Sequence, residues 1–282
     1  MSQRFTVGLV QITAEREHAP SIARAMPLVR DAAKAGADLI ALPENATMIE
    51  PASDAALAKA LPEQEHPGLA AYRAAAQDLR KWILIGSLSV RSTPAKYANR
   101  SFLIDPSGAV AARYDKIHLF DVDLPNGERY RESDRVTPGA AAVTADLPWA
   151  RLGMTVCYDV RFAQLYRALA QAGATVIAVP AAFTALTGEA HWHTLLRARA
   201  IETGSFIIAP AQTGTHAEGR RTFGHSLAVG PWGDVLADGG TDEGFVLAAI
   251  DPAAAAAARA RIPALAHDRP FAPPAIPRRA AE

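Results

Sequence analysis

The stretch RLGMTVCYDVRF, Arg151–Phe162, runs from the apolar segment LGMTV through Cys157 into the polar turn YDVR, and the helix-like FAQLYRALAQAGA continues from it. Strand, polar turn and helix in succession are the unit of a layered α/β domain, and ligands of such domains gather where strands end. The turn therefore places the chain's one cysteine at the lip of a sheet. Two other apolar runs stop in the same way: LIALPE ends on Glu44, and VAARYDK ends on Lys116.

Further β-branched runs read as strands: FTVGLVQI (5–12), ADLIALPE (37–44), WILIGSLSV (82–90) and RSFLIDPSG (100–108). Between them, SIARAMPLVRDAAKAGA, GLAAYRAAAQDLR and HWHTLLRARAIETG repeat apolar residues at three- and four-residue steps, the helical period. KAGA and QAGA carry the glycine expected where a helix stops before the next strand. The pattern is not uniformly β-α-β, because RSFLIDPSGAVAARYDK and HSLAVGPWGDVLADGG read as strand pairs joined by Asp-Pro-Ser-Gly and Gly-Pro-Trp-Gly turns. The sheets should therefore be mixed. No Gly/Ser linker divides the chain and no internal repeat is visible, which predicts one α/β domain over residues 1–262. A proline-rich segment without regular structure is expected over 263–282.

Composition excludes several classes. The 29 Lys and Arg balance 29 Asp and Glu, so no basic surplus attracts nucleic acid. The longest apolar runs, such as TVIAVPAAF, fall well short of a bilayer span, and no membrane association is expected. One cysteine makes no intramolecular disulfide, and the passage from MSQR straight into a strand shows no signal-like leader; together these predict a cytoplasmic protein. Neither GxGxxG nor a Walker lysine loop occurs.

Taken singly, Cys157 is as readily a core hydrophobe, Glu44 a solvated loop acid and Lys116 a surface lysine. Together, a carboxylate, an ammonium and a thiol suffice for acyl transfer. Glu44 can take the thiol proton, Lys116 can stabilise thiolate and oxyanion, and the backbone N–H of Tyr158 can add a second oxyanion donor.

ALPENAT, YDKIHLFDVDLP and GMTVCYDVRF, in that order, resemble the motifs of the nitrilase superfamily of carbon–nitrogen hydrolases, and the resemblance covers nearly the whole chain. Carried over by position, the family's glutamate, lysine and cysteine fall on Glu44, Lys116 and Cys157. Its second acid falls on Glu132 of YRESD, where it would hold Lys116 and help orient substrate. The resemblance implies a four-layer α-β-β-α sandwich, no metal or other cofactor, and homodimers. AHWHTLLRARAIE, AQTGTH and RRTFGHS are most similar to the branch holding deaminated glutathione amidase and omega-amidase, with the former favoured. Nitrilase or N-carbamoyl amidase activity is an alternative, and a non-catalytic binding subunit on the same fold is the alternative from a different class. That branch implies a small anionic keto-acid amide as substrate. Arg161 becomes a candidate for its anion, with a structural ion pair as the competing role, and Phe183 a candidate apolar wall, with core packing as the competing role. Relatives commonly carry Pro-Glu where this chain has Ala163-Gln164, so pocket shape is open to difference there.

Two other motifs lead nowhere. GHSLA, Gly224–Ala228, lacks the final glycine of a serine-hydrolase elbow and enters a strand pair instead of a helix. In HWH, His191 and His193 stand two apart on a predicted helix and diverge, so they do not read as a metal pair.

Overall fold

A computed structural model describes residues 4–272 and 274. Its first large sheet contains β1 (Phe5–Gln11), β2 (Leu39–Ala41), β3 (Trp82–Thr93), β4 (Lys96–Ile104), β5 (Val110–Asp115) and β16 (Gly244–Ile250), in the order β16-β1-β2-β3-β4-β5. The small hairpin β6 (Asp121–Asp123) and β7 (Arg129–Arg131) follows β5 in the chain. The second large sheet contains β8 (Val143–Asp146), β9 (Arg151–Met154), β10 (Val176–Ala178), β11 (Phe206–Ala209), β14 (Leu227–Val229) and β15 (Val235–Asp238), in the order β15-β14-β11-β10-β9-β8. A second hairpin, β12 (Thr213–Thr215) with β13 (Arg221–Phe223), lies between β11 and β14 in sequence. In each large sheet three parallel strands, β1-β2-β3 or β9-β10-β11, are flanked by antiparallel ones. Both sheets are mixed, as the hairpin turns predict, and β4–β5 and β14–β15 pair across the two quoted turns. The two halves thus share an architecture that no repeat in the sequence announces.

The strands are apolar on both faces because both faces are covered. Val7, Leu9, Leu39, Ala41 and Leu84 point into one core with Leu152, Met154 and Ile207 of the second sheet. Their neighbours Val10, Ile40, Ile83 and Ile85 point the other way, into a core with Val29 and Tyr72. The period of two along β1, β2 and β3 therefore assigns alternate residues to different layers. Val29 belongs to α1 (His18–Lys34) and Tyr72 to α3 (Pro67–Leu79); the short α2 (Ser53–Lys59) precedes α3. The outer face of the second sheet is covered by α4 (Ala163–Gln171) and α5 (Ala185–Thr203). The result is the four-layer α-β-β-α sandwich. Gly36 and Gly173 follow α1 and α4 with φ of 98° and 93°, the left-handed turn that returns the chain to β2 and β10.

After α6 (Pro252–Arg261), residues 263–272 and 274 form no helix or strand. The segment lies on α4, where Asp268 accepts from Arg167 Nε (3.0 Å) and Gln171 Nε2 (3.1 Å). The rest of the predicted tail, residues 273 and 275–282, lies outside the described residues. No described helix is long and apolar enough to cross a membrane.

Candidate active site

The ends of β2, β5 and β9 meet. Glu44 stands in the turn beyond β2, which is held at several points: Ser87 Oγ accepts from the Asn45 N–H (2.9 Å), the Ser87 carbonyl accepts from Ala46 N–H (3.0 Å), and Gln212 Nε2 donates to the Glu44 carbonyl (2.9 Å). Gly86 allows this approach, because a Cβ there would lie 2.0 Å from the Leu42 carbonyl oxygen and 2.4 Å from Pro180. Lys116 follows β5 directly. Its Nζ donates to Glu44 Oε1 (2.9 Å) and to Glu132 Oε2 (2.8 Å). Asn99 on β4 bridges the same two acids from the other side, with Nδ2 donating to Glu44 Oε1 (3.0 Å) and Glu132 Oε1 (3.1 Å). Glu44 Oε2 accepts from Ala182 N–H (2.9 Å), and the thiol of Cys157 is its other polar neighbour.

Cys157 opens a short 3₁₀ turn after β9 with φ of 48°, a left-handed conformation that costs an L-residue energy and is tolerated where the surroundings over-determine it. The Cys157 N–H donates to the Pro180 carbonyl (2.9 Å). Behind the turn sits Asp159, fully buried, with four donors: Val156 N–H (2.9 Å), Tyr114 Oη (2.7 Å), His118 N–H (3.0 Å) and His118 Nδ1 (2.7 Å). Tyr158 N–H follows the nucleophile position on this same turn.

Electrostatics set the protonation states. Burial penalises the charge of Glu44, but the charge and hydrogen bond of Lys116, with smaller help from the thiol and Arg220, hold its carboxyl below the ordinary 4.5. For Lys116, burial opposes the charge and Glu132 and Glu44 outweigh it, so the ammonium persists well above 10.5. Burial pushes the Cys157 thiol well above 9.0; the negative charge of Glu44 adds to the rise, and Lys116 offsets only part of it. The resting site at neutral pH is therefore a Glu44 carboxylate, a Lys116 ammonium and a Cys157 thiol still carrying its proton.

A cavity of about 310 Å³ opens on this set. Glu44, Lys116, Glu132 and Cys157 line it, together with Tyr158, Phe183, Asn99 and Arg220, and the β6–β7 hairpin supplies Arg129, Tyr130 and Arg131. Phe183 lines the cavity and also packs on Trp192 with ring centroids 4.9 Å apart. Arg161 is not a lining residue. Its guanidinium lies 5.8 and 5.3 Å from the centroids of the Tyr158 and Phe183 rings, and Nη2 is 3.3 Å from His191 Nδ1; among the described residues no carboxylate pairs with it. The expected divergence of His191 and His193 holds, but His193 finds other company: Asp238 accepts from His193 Nε2 (3.0 Å) and His225 Nδ1 (2.8 Å), and the ligand atoms of the three lie within 4.8 Å of one another.

A family model described as carbon–nitrogen hydrolase matches residues 6–260. The chain belongs to that family. Deaminated glutathione amidase of Yersinia enterocolitica is 40% identical over 277 residues, covering 96% of this chain and 95% of that one. Human omega-amidase NIT2 is 33% identical over 269 residues, covering 94% of this chain and 95% of that one. Among solved structures, the NitFhit protein of C. elegans superposes with a TM-score of 0.87 at 33% identity, over 95% of this chain and 66% of that one. The four-layer sandwich of this carbon–nitrogen hydrolase is accordingly the nitrilase-superfamily fold. Asn99, Asp159 and Arg220 are the members of its site region that sequence reasoning missed. Asp159 had a signal, two residues beyond the cysteine inside the quoted turn. Arg220 opens the quoted segment RRTFGHS, which pointed to the branch without giving this residue a role, and Asn99 had no signal.

Proposed function

We propose that this carbon–nitrogen hydrolase is a thiol amidohydrolase that cleaves the non-peptide C–N bond of a small amide, with deaminated glutathione as the favoured substrate. The observation that carries the reading is the thiol of Cys157, on a left-handed turn, facing an ionised Glu44 that is itself paired with Lys116 at the floor of one cavity. Extensive similarity to deaminated glutathione amidases supports the substrate.

In the reaction, Sγ attacks the amide carbon as Glu44 removes its proton, so a buried thiolate never accumulates. The carbonyl electron pair moves to oxygen, and the oxyanion is held by the Lys116 ammonium and the Tyr158 N–H. As the C–N bond breaks, Glu44 returns the proton to nitrogen; the amine leaves, cysteinylglycine from deaminated glutathione or ammonia from a primary amide, and a thioester remains. Water then attacks the thioester with Glu44 taking its proton, the C–S bond breaks, and the proton passes to sulfur as the acid departs. Glu132 positions Lys116 throughout.

Phe183 forms the apolar wall, and Arg161, 5.3 Å from its ring centroid, adds positive field to an anionic acyl group. Omega-amidase action on α-ketoglutaramate is the second reading, favoured by the likeness to human NIT2; nitrilase or N-carbamoyl amidase chemistry uses the same residues. Residues 1–262 act as one domain, in the cytoplasm, as a homodimer for which light scattering is the test.

Product release is to be compared across deaminated glutathione (read as cysteinylglycine), α-ketoglutaramate, simple nitriles and N-carbamoyl compounds (read as ammonia), with C157A as control. Deaminated glutathione is expected to give the highest kcat/KM, and acyl mass trapped with a slow substrate should sit on Cys157. Silence toward every compound would leave the binding-subunit reading.

A further inference from the structure

Three side chains of metal-ligand type converge from separate elements, and none of them lines the cavity of Cys157. His193 lies on α5, His225 stands in the loop before β14, and Asp238 ends β15. One ligand atom of each lies within 4.8 Å of the other two. The Asp238 carboxylate faces His193 Nε2 (3.0 Å) and His225 Nδ1 (2.8 Å) and is held from its own turn by Gly240 N–H (2.9 Å). His225 is fixed although its φ is 54°: its N–H donates to the Gly240 carbonyl (2.6 Å), its carbonyl accepts from Trp192 Nε1 (2.9 Å), and its ring stacks on Phe223 with centroids 4.5 Å apart. The His193 ring meets that of His225 at 5.1 Å, edge to face. The side chains of His193, His225 and Asp238 are 36%, 24% and 32% exposed, so an ion in solution can reach all three.

Both imidazoles turn toward Asp238 a nitrogen that can either donate a proton or ligate. His193 Nδ1 and His225 Nε2, the outer nitrogens, make no hydrogen bond among the described residues and are open to carry the ring protons. With the protons there, two inner lone pairs and one carboxylate face a common point, and neutral rings lose no proton in the exchange. Around an ion with ligands at about 2.0–2.2 Å, tetrahedral neighbours stand roughly 3.3–3.5 Å apart, which the three reach by small side-chain rotations. Two imidazoles and a carboxylate suit zinc and its neighbours in the first transition row, and water completes the shell; magnesium and calcium prefer oxygen alone.

We propose that His193, His225 and Asp238 form a binding site for a zinc-class divalent cation, which braces α5 against the β14–β15 pair. The site goes beyond the amidohydrolase reading and does not depend on it.

The test is zinc binding to the full chain carrying C157A, so that the thiol does not compete, measured by calorimetry and by metal content after dialysis. One zinc per chain is expected, and H193Q, H225N and D238N should each weaken it at least about tenfold. Asparagine is the choice at position 225 because it tolerates the left-handed backbone. H191Q, on the neighbour that diverges along α5, should change affinity less than about twofold, and millimolar magnesium should not displace the zinc. Saturating zinc should raise the melting temperature, and D238N should abolish the rise. No zinc bound at about 100 µM, affinity unchanged in all three ligand variants, a loss in H191Q equal to that in H193Q, or displacement by magnesium would each overturn the site and leave Asp238 as a hydrogen-bonded bridge between two rings. A melting temperature unmoved by bound zinc would overturn the brace. If D238N or H225N fails to fold by circular dichroism, H193Q, on a partly exposed face of α5, decides, with undiminished zinc affinity overturning the assignment.

Discussion

Two buried acids flank Cys157, and they are built differently. Glu44 faces the cavity and meets a cation: Lys116 Nζ, Asn99 Nδ2 and Ala182 N–H surround its carboxylate, and the thiol lies beside it. Asp159 faces the interior behind the turn, and its hydrogen bonds come from Tyr114, His118 and the Val156 backbone. The first acid has the reacting sulfur for a neighbour and a charge partner that keeps it ionised. The second ties β5 and the segment after it to the strained turn that presents the sulfur. On the proposed mechanism, chemistry and scaffolding are thus divided between two carboxylates near one residue.

The comparison breaks most sharply in turnover. Glu44→Gln should cut kcat/KM at least about 10²-fold with the fold retained by circular dichroism, because the base is lost while Lys116 keeps Glu132 as a partner. Near-normal rates in this variant would remove Glu44 from the mechanism. Ionised Glu44 is required, and its carboxyl is held below 4.5, so the acid limb of kcat/KM should lie below that pH. The linked stability has the same sign: the Glu44 contribution is complete above the ordinary 4.5 and is lost as pH falls through the lower folded value.

A second effect tests the charge alone. Because the carboxylate of Glu44 helps to raise the Cys157 thiol, Glu44→Gln should move the midpoint of iodoacetamide alkylation toward lower pH even as it cuts turnover. Asp159→Asn should leave that midpoint in place. A midpoint unmoved by Glu44→Gln would mean that burial accounts for the raised thiol without the neighbouring charge.

The division also explains how far the sequence could be read. Strand ends at Glu44, Lys116 and Cys157 are legible because each is an abrupt change from apolar to polar residues, and mixed sheets are legible from the Asp-Pro-Ser-Gly and Gly-Pro-Trp-Gly turns. The likeness of the two sheets is not, since it lies in strand order and not in repeated residues. Asn99 sits within a strand, and its role arises only when β4 lies beside β5 and brings it over Lys116. Arg220 is one of two adjacent arginines in an ordinary polar turn, and only burial of its Nε against Tyr130 separates it from Arg221. Arg161 is conspicuous for its spacing from Cys157, yet the 3₁₀ turn sets it against the rings of Tyr158 and Phe183 and off the cavity lining.

The smallest effects belong to the interior acid and measure stability. Asp159→Asn places an amide N–H among groups that are all donors, so at least one of them loses its acceptor while fully buried. The expected cost is about 1–3 kcal/mol in urea unfolding. Turnover per folded molecule should fall less than in Glu44→Gln, because the sulfur remains beside an intact base. Tyr114→Phe removes only one of the four donors and keeps the ring packed in the core, which predicts about 1 kcal/mol and a smaller loss of turnover. If Tyr114→Phe instead costs turnover as heavily as Glu44→Gln with stability unchanged, the hydroxyl bond to Asp159 is controlling the position of the nucleophile, and the separation between the acid that reacts and the acid that supports does not hold.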